Sequence, residues 1–315
     1  MARPIILGIV GDSAAGKTTL TRGLVRILGE ERVTHVCTDD YHAYDRRQRA
    51  ERQITPLQPD ANYMDIMTQH LRHLRAGEPI LKPVYRHADG TFGPPNYVEP
   101  RAFAVVEGLL GYHTDELCDL YDVRVFLAPP EELRRKWKVD RDCSRRGYTT
   151  DEVLKELDRR EPDSAAFIRP QQRRADMVVS FAPSQEGGSP LDAGLILRPD
   201  LPHPDLSPVI DAGRTDIVVE QDDEERRLHI CGDVEPEQAA AIEEAVWEKM
   251  HFASHLRTER LGEYTIGTEL LRSETLAIVQ LLILYHLATA KAAVALGGNG
   301  TRRLAAAEPA FGPQA

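Results

Sequence analysis

The chain has 315 residues, 42% of them hydrophobic and 28% charged, enough to bury a core in one large domain or two of ordinary size. Its formal net charge of -11 excludes broad binding to nucleic acid or to an anionic membrane, because the overall field repels both. The four cysteines (Cys37, Cys118, Cys143 and Cys231) are scattered without a C-x-x-C pair, which excludes a zinc ribbon or disulfide scaffold and reads as reduced cytosolic thiols, hence a cytoplasmic protein.

Taken in chain order, the apolar run Ile5 to Val10 reads as a strand; it is too short for a signal peptide and leads straight into a glycine motif. That motif is Gly11-Asp12-Ser13-Ala14-Ala15-Gly16-Lys17-Thr18, followed by a helical pattern over Thr18 to Leu28. It has the form G-x-x-x-x-G-K-[ST] in the strand-loop-helix setting that gives the pattern its meaning. The N–H groups from Gly11, Ser13, Ala14, Ala15 and Gly16 and the helix N-terminus can face nucleotide phosphates, Lys17 can reach the β and γ oxygens, and the Thr18 hydroxyl can hold Mg²⁺. ATP with Mg²⁺ is the expected cofactor pair.

Further strands are expected at Val33 to Thr38, Ala102 to Val106, Val123 to Leu127 and Met177 to Phe181, separated by helical patterns at Asp65 to Ala76, Glu131 to Arg145 and Asp151 to Arg160. This alternation predicts an α/β fold with a mostly parallel sheet flanked by helices. A capping box, Thr149 with Glu152, marks the start of the last of those helices. The second strand ends in Asp39-Asp40-Tyr41-His42, at the sheet end where open α/β folds bind ligands, and a carboxylate there can take a hydroxyl proton. Glu107 closes the Ala102 to Val106 strand, where a carboxylate can reach Mg²⁺ directly or through water. Thr18, Asp39 and Glu107 are therefore the metal-side residues. Lys136, Lys138, Arg141, Arg145 and Arg146 crowd one helix and its end; part of this run is a solvated face carrying the i,i+4 pairs Glu131 with Arg135 and Glu132 with Lys136.

From Pro183 to Pro208 six prolines and several glycines mark a connection that cannot hold a helix, interrupted by a short strand at Leu195 to Leu197. Beyond it, Ile217 to Glu220 and Leu228 to Cys231 flank a polar turn as a hairpin, and Glu235 to Leu256 and Ser273 to Ala295 read as helices. The stretch Leu276 to Ala290 is apolar but broken by Gln280 and His286, which predicts a buried helix rather than a bilayer span. The organisation expected is a core over 1–182, a connection over 183–208, an α+β C-terminal region over 209–296 and a disordered tail over 297–315. Long apolar helices and a sheet edge in the last third fit a homodimer, and fit an intramolecular core equally.

The segment Cys37-Thr38-Asp39-Asp40-Tyr41-His42-Ala43-Tyr44-Asp45-Arg46 resembles the acceptor loop of the phosphoribulokinases, especially their cyanobacterial and plant branch. Matching segments follow in order: Asp60 to Asp65, Lys82 to His87, Val106 to Leu109, Arg141-Asp142 with Arg146-Gly147-Tyr148, and Asp176 to Val179. The resemblance runs through residues 3 to 182 and is faint beyond. It implies a P-loop kinase-like fold and transfer of the ATP γ-phosphoryl group to O1 of D-ribulose 5-phosphate. It places Asp39 as catalytic base and His42, Arg46, Tyr85, His87 and Arg146 at the sugar phosphate. Lys138, Arg141, Asp142 and Arg146 become a lid that closes over the phosphates and, with Lys17, supplies positive charge to the transferring group.

Two rival readings remain at this level: a uridine kinase-like enzyme acting on another hydroxyl, and a nucleotide-binding regulator without catalysis. The Asp39-x-x-His42-x-x-x-Arg46 spacing with Tyr85-x-His87 favours a phosphorylated acceptor, and an acceptor base is superfluous in a mere sensor. The resemblance also implies that plant-type redox control is absent. In that branch a cysteine in the phosphate loop pairs with one just before the acceptor-loop aspartate; here Ala15 stands at the first position and Cys37 at the second.

Overall fold

The computed structural model describes residues 2–184, 191–206, 217–221, 225–250, 256–266 and 269–301, without the side chains of Arg145, Arg146, Gln221 and Ile266. The expected tail beyond 301 and the 222–224 turn lie outside the described residues. In chain order, β1 (Ile5–Gly11) leads to α1 (Lys17–Leu28) and β2 (Val33–Cys37), then to α2 (Arg46–Arg52) and α3 (Met64–Ala76). A hairpin of β3 (Ile80–Arg86) and β4 (Thr91–Val98) precedes β5 (Phe103–Gly108), α4 (Asp115–Cys118), β6 (Val123–Leu127), α5 (Glu131–Arg146) and α6 (Thr150–Asp163). There follow β7 (Met177–Pro183), β8 (Leu191–Leu197), β9 (Ile217–Gln221), β10 (Arg226–Ile230), α7 (Pro236–Glu248), β11 (Glu263–Ile266), β12 (Glu269–Arg272) and α8 (Glu274–Ala295).

The main sheet has eight strands in the order β2-β5-β1-β6-β7-β8-β10-β9. Its first five strands are parallel, as expected. Every residue of β1 is buried, which is what a central parallel strand covered by helices on both faces requires. Alternation sorts the strand between two cores: Ile5, Leu7 and Ile9 pack with Leu20, Leu24 and Ile27 of α1 and with α8, while Ile6 and Val10 pack with Met67, Leu71 and Leu74 of α3. Each such side chain contributes roughly 1.5–3 kcal/mol by leaving water.

Past β7 the sheet turns antiparallel. The strand inside the Pro183 to Pro208 connection spans Leu191–Leu197, longer than the three residues expected, and pairs with β7 along its whole length. Residues after the connection therefore extend the same sheet. α8 runs 22 residues and is long and apolar enough by composition to cross a bilayer, a greater reach than the Leu276 to Ala290 stretch implies; yet 67% of its apolar window is buried inside the protein. Its contacts with β1, β6, β8 and α1 cover one face of the sheet. The helix expected over Glu235 to Leu256 is described only as Pro236–Glu248, and 251–255 lie outside the described residues.

The β3–β4 hairpin is not expected from the sequence. β4 reads Thr-Phe-Gly-Pro-Pro-Asn-Tyr-Val, and β3 contains Pro83, a composition that argues against a ladder. The hairpin accommodates this by being two-stranded, with a register shift between Lys82 and Val84 around the residue that has no N–H. Likewise α6 runs through Pro162 to Asp163, beyond its expected end at Arg160, and opens into a π-helical turn over Ser164–Ile168. A proline removes one i→i−4 hydrogen bond and crowds the preceding turn, a recognised cause of such local widening.

Candidate active site

The C-terminal ends of the parallel strands gather the chemistry: β1 ends at the phosphate loop, β2 at Cys37 before the acceptor turn, and β5 at Glu107-Gly108. Gly16 caps α1 with φ 93°, a left-handed conformation that glycine adopts at no steric cost. Ala14 holds φ 67° in the same loop, which for a residue with a Cβ is strained and persists only if its surroundings insist on it. The Lys17 Nζ lies across the loop, donating to the carbonyls of Gly11 at 2.9 Å and Asp12 at 2.7 Å. Burial lowers the Lys17 ammonium from its ordinary value, and the Asp39, Glu107 and Asp12 carboxylates oppose that shift. These neighbours show that the three strand ends converge on one spot.

The two adjacent aspartates have different work. Asp40 is tied into the hairpin, accepting from the Lys82 ammonium and, at 2.8 Å, from the Tyr85 backbone N–H. Asp39 instead points toward the His87 ring, its Oδ2 3.6 Å from Nε2. Burial pushes the Asp39 carboxyl up, but His42, His87, Lys17 and Arg160 more than offset it and hold it below the usual carboxylate range. An ionised, partly buried carboxylate at this position can accept a proton from a substrate hydroxyl. A shallow cleft lies beside it, lined by Thr38, Asp39, Tyr41, Pro56, Asn62, Met64, Met67, Leu109 and Leu110.

His42 is buried, with Nδ1 2.7 Å from the Asn62 Oδ1, and burial lowers its pKa although Asp39 opposes this. Tyr85 is also buried, and its hydroxyl accepts from Arg49 at 2.7 Å. Its ring stands edge-on between His42, at 4.8 Å, and His87, at 5.1 Å. Tyr85 thus stands between the two histidines, and Arg49, absent from the sequence-based site, holds its hydroxyl. Arg46 is exposed and donates to the His87 carbonyl at 2.6 Å, which brings α2 against the hairpin tip.

On the metal side Thr18 is exposed at the N-terminus of α1, as a ligand hydroxyl needs to be. Glu107 is buried, with Oε1 3.0 Å from His35 Nε2 and Oε2 accepting from Thr21 at 3.4 Å. Among the described residues no group of three or more His, Cys, Asp or Glu forms a metal cage. That donor set fits Mg²⁺, which keeps several waters and takes substrate phosphates in place of a full protein shell. Thr18, with Glu107 and Asp39 directly or through water, would hold it, and the ion would neutralise phosphate charge.

Helix α5, the expected lid, brings Lys138, Arg141 and Asp142 together: Lys138 Nζ lies 2.5 Å from Asp142 Oδ2, and Arg141 Nε donates to Oδ1 at 2.9 Å. Arg146 ends that helix, but its side chain lies outside the described residues. Arg160 forms an i,i+4 pair with Glu156 at 2.6 Å, as residues on a solvated helix face do. The fold nonetheless sets it within electrostatic reach of both Asp39 and Lys138. No local pattern marks it, because only the packing of α6 over the site gives it that position. Cys37 is a free thiol; burial and the Asp39 and Glu107 carboxylates push it well above its ordinary value, so it is a poor thiolate.

A phosphate loop at the end of a central parallel strand, a carboxylate at the end of β2 two strands away in the same sheet and a cation-rich helix, α5, are the parts of a P-loop kinase. The chain belongs to the phosphoribulokinase/uridine kinase family, whose model matches residues 6–186. It is 39% identical over 183 residues to the phosphoribulokinase of Synechocystis sp., covering 58% of this chain and 55% of that protein. It is 32% identical over 200 residues to the chloroplastic phosphoribulokinase of Triticum aestivum, covering 58% and 50%. A uridine kinase of Streptococcus gordonii is 30% identical over 181 residues, covering 56% of this chain and 86% of the relative. The chain thus spans about half the length of the curated phosphoribulokinases it matches. A solved phosphoribulokinase from Rhodobacter spheroides superposes with a TM-score of 0.56 at 18% identity over 72% of this chain and 90% of that one, which shows a shared fold.

Proposed function

We propose that this protein transfers the γ-phosphoryl group of ATP to O1 of D-ribulose 5-phosphate, giving ribulose 1,5-bisphosphate and ADP. The observation that carries the reading is the division between the aspartates: Asp40 anchors the hairpin while Asp39 faces His87 beside the cleft. Asp39 takes the acceptor hydroxyl proton as the oxygen attacks the γ-phosphorus, and the bond from that phosphorus to the β–γ bridging oxygen breaks. The developing charge meets Lys17 and the lid cations. His42, Arg46 and His87 hold the phosphate already on the sugar. The identities of 39% and 32% to phosphoribulokinases support a sugar phosphate over a nucleoside. We further assign the protein to the cytoplasm and expect it to work as a homodimer.

The test is ADP release measured across ribulose 5-phosphate, other pentose and hexose phosphates, and uridine. Ribulose 5-phosphate should have the highest kcat/KM; a higher value for uridine would show the acceptor assignment to be wrong.

Two variants probe the acceptor phosphate. Arg46→Ala and His87→Ala should each raise KM for the sugar phosphate and leave KM for ATP nearly unchanged, because the non-reacting phosphate is bound alike in ground and transition states. Unchanged sugar-phosphate KM in both would place that phosphate elsewhere.

The lid carries a pH signature. Burial, then neighbouring Arg141, lowers the Lys138 ammonium to about 8, against the opposing pull of Asp142. Lys138 is charged below that pH and loses its proton above it, so kcat should decline on the alkaline side with a midpoint near pH 8. Lys138→Arg should move that limb to higher pH, since a guanidinium stays charged. An identical alkaline limb in both proteins would exclude Lys138 as its origin.

A further inference from the structure

Asp12, inside the phosphate loop, is fastened through its carboxylate to two other elements. Its Oδ1 accepts from the Ser13 N–H at 2.6 Å and lies 3.5 Å from Arg134 Nη1; its Oδ2 accepts from the Ser164 hydroxyl. Arg134, on α5, also donates to the Ser13 carbonyl at 3.0 Å and is held by two 2.7 Å hydrogen bonds to Glu131. Ser164 begins the π-helical turn after α6 and is 2% exposed; the Arg134 side chain is 6% exposed and that of Asp12 12%. A charged loop residue is thus pinned, out of water, between the lid helix and the helix that carries Arg160.

We propose that Asp12, Arg134 and Ser164 form a latch that holds the phosphate loop in its phosphate-binding curvature, making Arg134 and Ser164 positioning residues for nucleotide binding. The proposal rests on the kinase reading only so far as the loop binds a nucleoside triphosphate. Ala14, two residues beyond Asp12, occupies the left-handed region at φ 67°. Such a residue relaxes when its surroundings loosen, and the loop N–H groups then have to be ordered again when phosphate binds. Arg134 has a second effect. It compensates the Asp12 carboxylate, which would otherwise repel the incoming phosphates from a poorly solvated position. Because Ser164 lies on the widened turn two residues past Pro162, the conformation of that turn decides whether its hydroxyl reaches the loop at all.

The test is direct calorimetric binding of MgATP and MgADP without any acceptor, alongside the thermal midpoint of each variant. Ser164→Ala should weaken both ligands about tenfold, the scale of a lost hydrogen bond to a charged group. The loss should vanish when Asp12→Ala is already present, because the hydroxyl then has nothing to hold. Ser164→Thr and Ser164→Val crowd the turn equally and differ only in the hydroxyl, so the threonine variant should bind about tenfold tighter than the valine variant. A Ser164→Ala protein with wild-type affinity, whatever its thermal midpoint, overturns the latch, as does equal affinity in the threonine and valine variants. Wild-type protein that binds MgATP but ignores ribulose 5-phosphate removes the acceptor reading and leaves the latch standing, whereas wild-type protein that binds no MgATP removes both.

Discussion

Replacing Asp39 by Asn should lower kcat by at least roughly 10²-fold, the usual scale for removing a general base, while MgATP still binds. The amide keeps the shape of the side chain but has no lone pair basic enough to take the hydroxyl proton. The surroundings sharpen the expectation. Burial alone would favour a protonated, inactive carboxyl, and His42, His87, Lys17 and Arg160 act together to keep it ionised. The adjacent Asp40 cannot substitute, because Lys82 and the Tyr85 N–H occupy its two oxygens. Asp40→Asn should therefore differ in kind, disturbing the β3–β4 hairpin and with it His87. Single-turnover phosphoryl transfer in Asp39→Asn at near wild-type rate would remove Asp39 from the mechanism.

Gly108→Ala should damage both stability and turnover through space alone. A Cβ at Gly108 would sit 1.6 Å from Thr38 Oγ1 and 2.6 Å from Thr38 Cβ, so rotating the threonine does not clear it. The Thr38 hydroxyl also accepts from the Leu109 N–H at 3.2 Å. The turn Thr38–Tyr41 must then move away from β5, and Asp39 is its second residue. Overpacking of this kind costs about 1–3 kcal/mol or more, and a displacement of about 1 Å at a reacting group can cost about 10²-fold in rate. Gly194→Ala in β8 is the matched control: nothing lies within 4 Å of its Cβ, and it should leave both properties unchanged. A Gly108→Ala protein with unaltered melting and kcat would mean that the β5–turn contact has room the geometry does not show.

Much of this was legible residue by residue. The motif from Gly11 to Thr18 names its own strand, loop and helix, because only small residues and a lysine at that spacing can wrap a phosphate. The five parallel strands were legible from short apolar runs at regular intervals, and the start of α6 from the reciprocal hydrogen bonds of Thr149 and Glu152. The β3–β4 hairpin was not, since three prolines in its two strands contradict any local strand signal. The site residues divide in the same way. Asp39 and Glu107 were accessible as carboxylates at strand ends and Lys138 only through the family resemblance, whereas no local pattern gave Arg49 its Tyr85 partner and Arg160 looked like a surface or interface arginine.

The sequence by itself determined the class of chemistry, because the phosphate loop from Gly11 to Thr18 is a local pattern whose spacing follows from backbone geometry. Tertiary structure alone decided which of two adjacent aspartates faces the cleft, that Tyr85 spaces two histidines, and that Asp12 is pinned by residues 122 and 152 positions further along the chain. It also decided that the residues after the proline-rich connection extend the main sheet. The reason is that these outcomes depend on long-range packing: a side chain's partner across the fold is set by how helices and sheets stack, and no period of 2 or 3.6 residues encodes it.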